Sequence, residues 1–324
     1  MGTLDIIKQP VIDDLKKFDL LFKSHLFHQD PLLNTMLESV SQSRGKGMRS
    51  LLVLLVAKLL GDINEKSYLS ALSYELIHTA SLIHDDVLDD SDMRRGRKSM
   101  NALYGQKKAI LLGDYLLGLS IHVLSEIKDN RVTESVSYAS GSLAAGEIMQ
   151  MNAISSDQVS EAVYFEIIRL KTASLFASSA KGGALSVNAS NEHINQFFLF
   201  GSLLGEAFQI KDDIFDYYEN EQLGKPTGND LLEGKLTLPL IYALKSTKNK
   251  DMFNLALKVK HGISSVDDRN TLISFSIENR GIQYAENMMH QKIDEAKTIL
   301  FTFPDCAAKQ SLLLLSDMIG ERTY

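Results

Sequence analysis

The chain has 324 residues, 44% of them hydrophobic, and a formal net charge of −7. That supplies enough apolar side chain for a sizeable core, and an acidic balance with no general attraction for nucleic acid or an anionic membrane surface. The single cysteine, Cys306, excludes an internal disulfide and a thiolate metal cluster, and fits a reducing cytoplasm.

Apolar residues recur at i, i+3, i+4 and i+7 along nearly the whole chain, and Val-Ile-Thr alternation is rare. In chain order this spacing predicts helices at roughly 4–26, 31–40, 48–60, 65–91, 107–127, 131–155, 160–180, 191–218, 236–246, 250–261, 266–276, 279–302 and 307–319. The opening segment, MGTLDIIKQPVIDDLKKF, lacks the basic start and continuous apolar stretch of a signal peptide. Apolar runs such as LLVLLVAKLL are too short to cross a bilayer, so no transmembrane helix is expected. With five prolines and no Pro/Gly/Ser linker, the elements read as one domain over 1–324. The fold class is all-α, a helical bundle with core helices surrounded by others.

Two motifs stand out, DDVLD at 85–89 and DDIFD at 212–216. On a helix, Asp85 and Asp89 leave the same face, as do Asp212 and Asp216. Asp92 extends the first stripe if that helix continues. Neither stripe carries Lys or Arg at i+3 or i+4. Acidic runs are usually solvated faces. Here the flanks SYELIHTASLIH and FLFGSLLGEAFQI carry almost no charge, which implies burial, and buried carboxylates need partners. Magnesium takes one or two carboxylates together with phosphate oxygens and water. Two such stripes facing each other across a cavity would clamp metal-bound diphosphate. The loops RRGRKS at 94–99 and NEQLGKPTGNDLLEGK at 220–235 place basic groups beside each acidic helix end. With Lys46, Arg49 and Lys171, they provide the cations that diphosphate requires.

These motifs are similar to those of the all-trans polyprenyl diphosphate synthases, the head-to-tail isoprenyl diphosphate synthase family. The resemblance covers nearly the whole chain. It includes GKGMR at 45–49, ELIHTASLIHDDVLDDSDMRRG at 75–96, Gly113-Asp114, GEIMQM at 146–151, KTASLF at 171–176, AFQIKDDIFDYY at 207–218 and GKPTGNDLLEGKLTLPLI at 224–241. It implies a deep central cavity, three Mg²⁺ ions and a homodimer. It assigns Asp85, Asp89 and Asp212 to the metals, with Asp216 in support. Arg94, Lys171, Lys225 and Lys235 would hold the allylic diphosphate (geranyl, farnesyl or geranylgeranyl). Lys46, Arg49, His78 and Arg95 would hold isopentenyl diphosphate. Thr172 and Gln209 would face the reacting carbons, while His84 reads as structural. The family's Gly-Gly-Lys-Arg-x-Arg-Pro is changed here: Gly47 stands for the Arg and Ser50 for the Pro, with Arg44 a possible substitute.

The implied reaction is ionisation, condensation and elimination. Ala80 and Ser81, one turn before Asp85, are small where short-chain relatives often carry aromatics. They imply an open pocket and a product of about C30 to C40, with Ser73, Ile77, Leu117 and Ile121 deeper in the tunnel. Release of so apolar a product implies transient membrane contact. A shorter C15–C20 synthase is the alternative. A class I terpene cyclase would mix Asn, Ser or Thr with Glu in its second motif. A non-catalytic partner subunit would have lost aspartates. A helical di-metal protein would need Glu-x-x-His ligands.

Overall fold

The computed structural model describes residues 2–43, 45–94, 96–218 and 228–321. It is all-α apart from one minimal hairpin, Met93–Arg94 paired antiparallel with Arg97–Lys98. The backbone divides into two compact units. The first comprises Met1–Ser140, Leu175–Leu199 and Phe303–Leu312; the second comprises Gly141–Ser174, Phe200–Thr302 and Leu313–Tyr324.

In the first unit, helix Glu65–Leu88 packs against Met48–Leu60 and Gln106–Ile127. Met48–Leu60 is buried from Ser50 through Ala57, which explains its run of leucine and valine on every face. Tyr74 is fully buried, and its hydroxyl donates to Ser135 Oγ at 2.9 Å, so the ring adds apolar area without stranding a polar atom. Gln106–Ile127 has a mean hydropathy of 1.5 over its most apolar window, long and apolar enough by composition to cross a membrane. Sequence runs alone had not flagged it. One face of this helix packs on Glu65–Leu88.

In the second unit, Leu238–Thr247 packs against Val266–Glu278 and Gly281–Phe301, and Tyr242 stacks on Tyr284 with ring centroids 4.0 Å apart. Pro239 sits in the first turn of its helix, where its missing N–H costs nothing.

Element ends are where observation departs from expectation. Residues 4–26 form two helices, Thr3–Lys8 and Ile12–His25, joined by a tight turn at Gln9–Val11, because Pro10 cannot donate within a helix. Glu65–Leu88 stops before Asp89, and Asp90 takes φ 45. Asp92 therefore lies beyond the helix and does not extend the acidic stripe. Asn191–Phe215 likewise ends one residue before Asp216, so Asp216 follows its helix as Asp89 follows Glu65–Leu88. The segment expected as one helix over 160–180 is Glu161–Ile168, a wider π turn at Arg169–Ala173, then Ser174–Ser186.

Candidate active site

The first unit carries the earlier of the two aspartate motifs at the C-terminal end of Glu65–Leu88. Asp85 is half-buried and Asp89 exposed. Asp86, only 3% exposed, accepts a 2.6 Å hydrogen bond from Arg94 Nε. The hairpin after the helix returns Arg94 to the motif it follows. Arg94 is thus held by an acid of the motif itself, and Arg95 lies outside the described residues. His84 Nε2 is 3.2 Å from the Ile110 carbonyl oxygen and 3.5 Å from Asp114, in the space left by the missing side chain of Gly113. Gly113 thus leaves the room that the His84 ring fills.

The isopentenyl-binding candidates lie near the start of Met48–Leu60. Lys46 is exposed. The Arg49 guanidinium lies over the Phe176 ring, 4.7 Å from its centroid, which holds the planar fork in a fixed orientation. Gly47 has φ 66, the left-handed region, where a side chain costs about 1–2 kcal/mol. Ser50 donates from its backbone N–H at 3.0 Å and from Oγ at 2.8 Å, both to Oε1 of the buried Glu75. A proline would remove the first of these bonds. The two departures from the family pattern therefore belong together: glycine permits the turn, and serine ties the helix start to Glu75. Arg44, the possible substitute, lies outside the described residues. His78 is half-buried, and its carbonyl accepts from Ser81 Oγ at 2.9 Å.

Ala80 is fully buried and Ser81 half-buried on the same helix. Ser73 and Ile77 are buried, and Leu117 is half-buried. Ile121, expected deeper in the tunnel, is 69% exposed. Its apolar periodicity belongs to the outward face of Gln106–Ile127, and helical spacing cannot tell which of two apolar faces a helix covers.

The second unit carries the remaining candidates. Its π turn places Lys171 and Thr172 out of regular helical phase, a device common at functional sites. Gly146 allows it: a Cβ there would stand 2.8 Å from the Lys171 backbone nitrogen. The Lys171 ammonium pairs with Glu147, whose other oxygen accepts from Gln150 at 3.2 Å. Sequence reasoning missed Glu147, although GEIMQM was one of the segments carrying the resemblance. Thr172 Oγ1 donates to Gln209 Oε1 at 2.6 Å, and Gln209 Nε2 donates to Asp213 Oδ1 at 2.8 Å. Tyr164, also unforeseen, donates from its hydroxyl to Asp213 Oδ2 at 2.6 Å.

Asp216, just past its helix, accepts from the backbone N–H groups of Asn229 and Asp230, each at 3.0 Å. It caps the short helix Asn229–Leu232 and anchors the segment leading to Lys235, which pairs with Glu233. Lys225 lies outside the described residues. A recess with about 850 Å³ of empty space, counted to its mouth, is lined by Tyr164, Lys171, Thr172, Gln209, Asp213 and Lys235 and by apolar side chains. Burial, then the charge of Asp230, holds the Asp213 carboxyl well above the usual carboxylate range. Burial, then the charge of Asp216, pushes Asp230 up to about 7. This wall carries more acid than it keeps ionised, an excess that a divalent cation relieves. Its hard oxygen donors fit magnesium.

Comparison with known proteins gives a consistent result. A family model described as polyprenyl synthetase matches residues 30–273. The octaprenyl diphosphate synthase of Haemophilus influenzae is 31% identical over 325 residues, covering 99% of this chain and 98% of that protein. Among solved structures, a geranylgeranyl pyrophosphate synthase from Bacteroides thetaiotaomicron matches with TM-score 0.87 and 38% identity, covering 99% of this chain and 100% of that one. A polyprenyl synthase from Caulobacter crescentus CB15, complexed with calcium and isoprenyl diphosphate, matches with TM-score 0.91 and 29% identity, covering 99% and 98%.

Proposed function

The chain belongs to the polyprenyl synthetase family and is an all-trans prenyltransferase acting on isopentenyl and allylic diphosphates, and from that premise we propose a magnesium-dependent synthase making a polyprenyl diphosphate of about C30 to C40. The observation that carries this reading is the recess of the second unit. There Lys171 and Lys235 stand with a Thr172–Gln209 pair that offers oxygen dipoles and no nucleophile. Such a wall suits a cationic reaction in which an anion leaves.

In the proposed reaction, Lys171, Lys225, Lys235 and Arg94 hold the allylic diphosphate, with Lys171, Lys235 and Arg94 exchanging Glu147, Glu233 and Asp86 for its oxygens. As the allylic C–O bond breaks, its electron pair goes to the diphosphate, and these cations stabilise the charge that develops. Lys46, Arg49, Arg95 and His78 hold isopentenyl diphosphate, with Arg49 oriented by Phe176. Its double bond attacks the allylic cation, a carbon–carbon bond forms, and the departing diphosphate takes the proton then lost. Asp85, Asp89 and Asp212 would hold Mg²⁺, three ions per site in this reading, with Asp216 supporting through the segment it caps. Among the described residues no group of three or more His, Cys, Asp or Glu could hold an ion alone, so further ligands would come from substrate. When bound, the metal neutralises the diphosphate and makes it a better leaving group.

The reading includes one synthase domain over 1–324 with a deep cavity for the growing chain beside Ala80 and Ser81, and a cytoplasmic location. A homodimer is part of it too. Leu111, Asp114, Gly118, Ile121 and Ser125 are exposed at spacings of three and four on Gln106–Ile127, an apolar-centred stripe that a second copy could cover. Product release would involve brief membrane contact. The similarity to a geranylgeranyl pyrophosphate synthase at 38% identity favours a second reading, a shorter product. Incubating the purified chain with labelled isopentenyl diphosphate, an allylic primer and Mg²⁺, then separating products by length, tests both readings. Products of about C30 to C40 support the first, C15–C20 products support the second, and no prenyl product defeats both.

A further inference from the structure

We infer that Tyr164 is a positioning residue for catalysis, which acts through Asp213 and Gln209 to set the direction of the Thr172 hydroxyl. The inference rests on the prenyltransferase reading above and adds to it a named residue and a sign. Its basis is an unbroken line of three hydrogen bonds inside the second unit. Tyr164 donates to Asp213 Oδ2 at 2.6 Å, Gln209 Nε2 donates to Asp213 Oδ1 at 2.8 Å, and Thr172 donates to Gln209 Oε1 at 2.6 Å. All four residues line the same recess, and Tyr164 and Asp213 are both buried.

A glutamine amide has two orientations related by a half turn, and its own geometry prefers neither. Asp213 decides between them. With Nε2 toward Oδ1 the pair is a hydrogen bond; turned over, oxygen would face oxygen. Tyr164 engages Oδ2 and so keeps the carboxyl group from rotating, with Oδ1 as the acceptor for the amide.

The consequence reaches Thr172. Its one hydroxyl hydrogen is committed to Gln209 Oε1, so the remaining lone pairs of Oγ1 are what the hydroxyl can present to the recess. If the amide turned over, its NH₂ would donate to Oγ1, and the freed hydroxyl hydrogen would point outward instead. The dipole offered to a reacting carbon would then change sign. A developing allylic cation requires the negative end. Tyr164 thus selects the electrostatic sign of a group it does not touch, from three hydrogen bonds away.

The test is a double-mutant cycle on the full chain, with labelled isopentenyl diphosphate, an allylic diphosphate and Mg²⁺. Tyr164→Phe should lower kcat by about tenfold, the scale of one lost buried hydrogen bond. Its KM for isopentenyl diphosphate should stay within about twofold, since the loss falls on the transition state. Gln209→Leu should lower kcat further. The double variant should be no slower than Gln209→Leu alone, because without an amide to orient the tyrosine has nothing to act through. A merely structural tyrosine would give losses that multiply. Unchanged kcat in Tyr164→Phe, or multiplying losses in the double variant of an active enzyme, would overturn this inference alone. A wild-type chain that makes no prenyl product would overturn the underlying reading with it.

Discussion

The buried middle acid of DDVLD at 85–89 meets a cation, whereas the buried middle acid of DDIFD at 212–216 meets a hydroxyl and an amide. In the first motif the buried middle acid, Asp86, is neutralised by Arg94. In the second the corresponding Asp213 accepts from Tyr164 and Gln209, and Asp216 accepts from two backbone N–H groups. Equal spacing of equal residues has produced two electrostatic settings. A charge-neutralised acid is a fixed strut. Asp213, whose buried carboxyl accepts from a hydroxyl and an amide, is held by dipoles instead.

That contrast can be broken or sharpened by substitution. The outer acids of both motifs should behave alike despite it: Asp85→Ala and Asp212→Ala should each cut kcat by about a thousandfold or more, and chelation should abolish turnover until Mg²⁺ is restored. Steady-state rates with and without added metal measure this, and a mild loss in either variant would remove that residue from the metal site. Stability should separate the motifs. Arg94→Ala strands a buried carboxylate, for which a fully buried pair loses about 3–5 kcal/mol. Arg94 is one-third exposed, so about 2 kcal/mol is expected in denaturant unfolding. No measurable change would mean that the pair is not a strut.

Ala80→Phe tests the remaining surface of the first motif's helix. Filling a fully buried site should shorten the product and lower stability by about 1–3 kcal/mol. Chromatography reads the first effect, and unchanged product length would remove Ala80 from the tunnel. The smallest effect is expected at Ser50→Ala, which keeps the backbone bond to Glu75 and loses the hydroxyl one, about 1 kcal/mol by thermal unfolding.

Much of the architecture was legible from apolar periodicity, because Leu51–Ala57 and the helices around them are buried by pattern rather than by detail. The acids and the nearby cations were legible from residue type and spacing, whereas Thr172 and Gln209 came from the family resemblance of KTASLF and AFQIKDDIFDYY. What escaped depends on approach in three dimensions. Arg94 reaches Asp86 only because Asp90, at φ 45, ends the helix and the hairpin turns back. Tyr164 lies 49 positions from Asp213 along the chain, and no periodicity links them. Asp216 reads as a metal-supporting acid from its spacing, and its bonds to the backbone N–H groups of Asn229 and Asp230 come from a fold-back that spacing does not show.

The π turn at Arg169–Ala173 amounts to one surplus residue accommodated in a helical path. Striking Leu170 from it would let an ordinary spiral close across the gap ahead of Lys171 and Thr172. Each residue advances a regular helix by about 100°, so the lysine and threonine would come to rest on a different side. Shortening the chain here by a single codon would therefore dial its reactive edge away from the substrate.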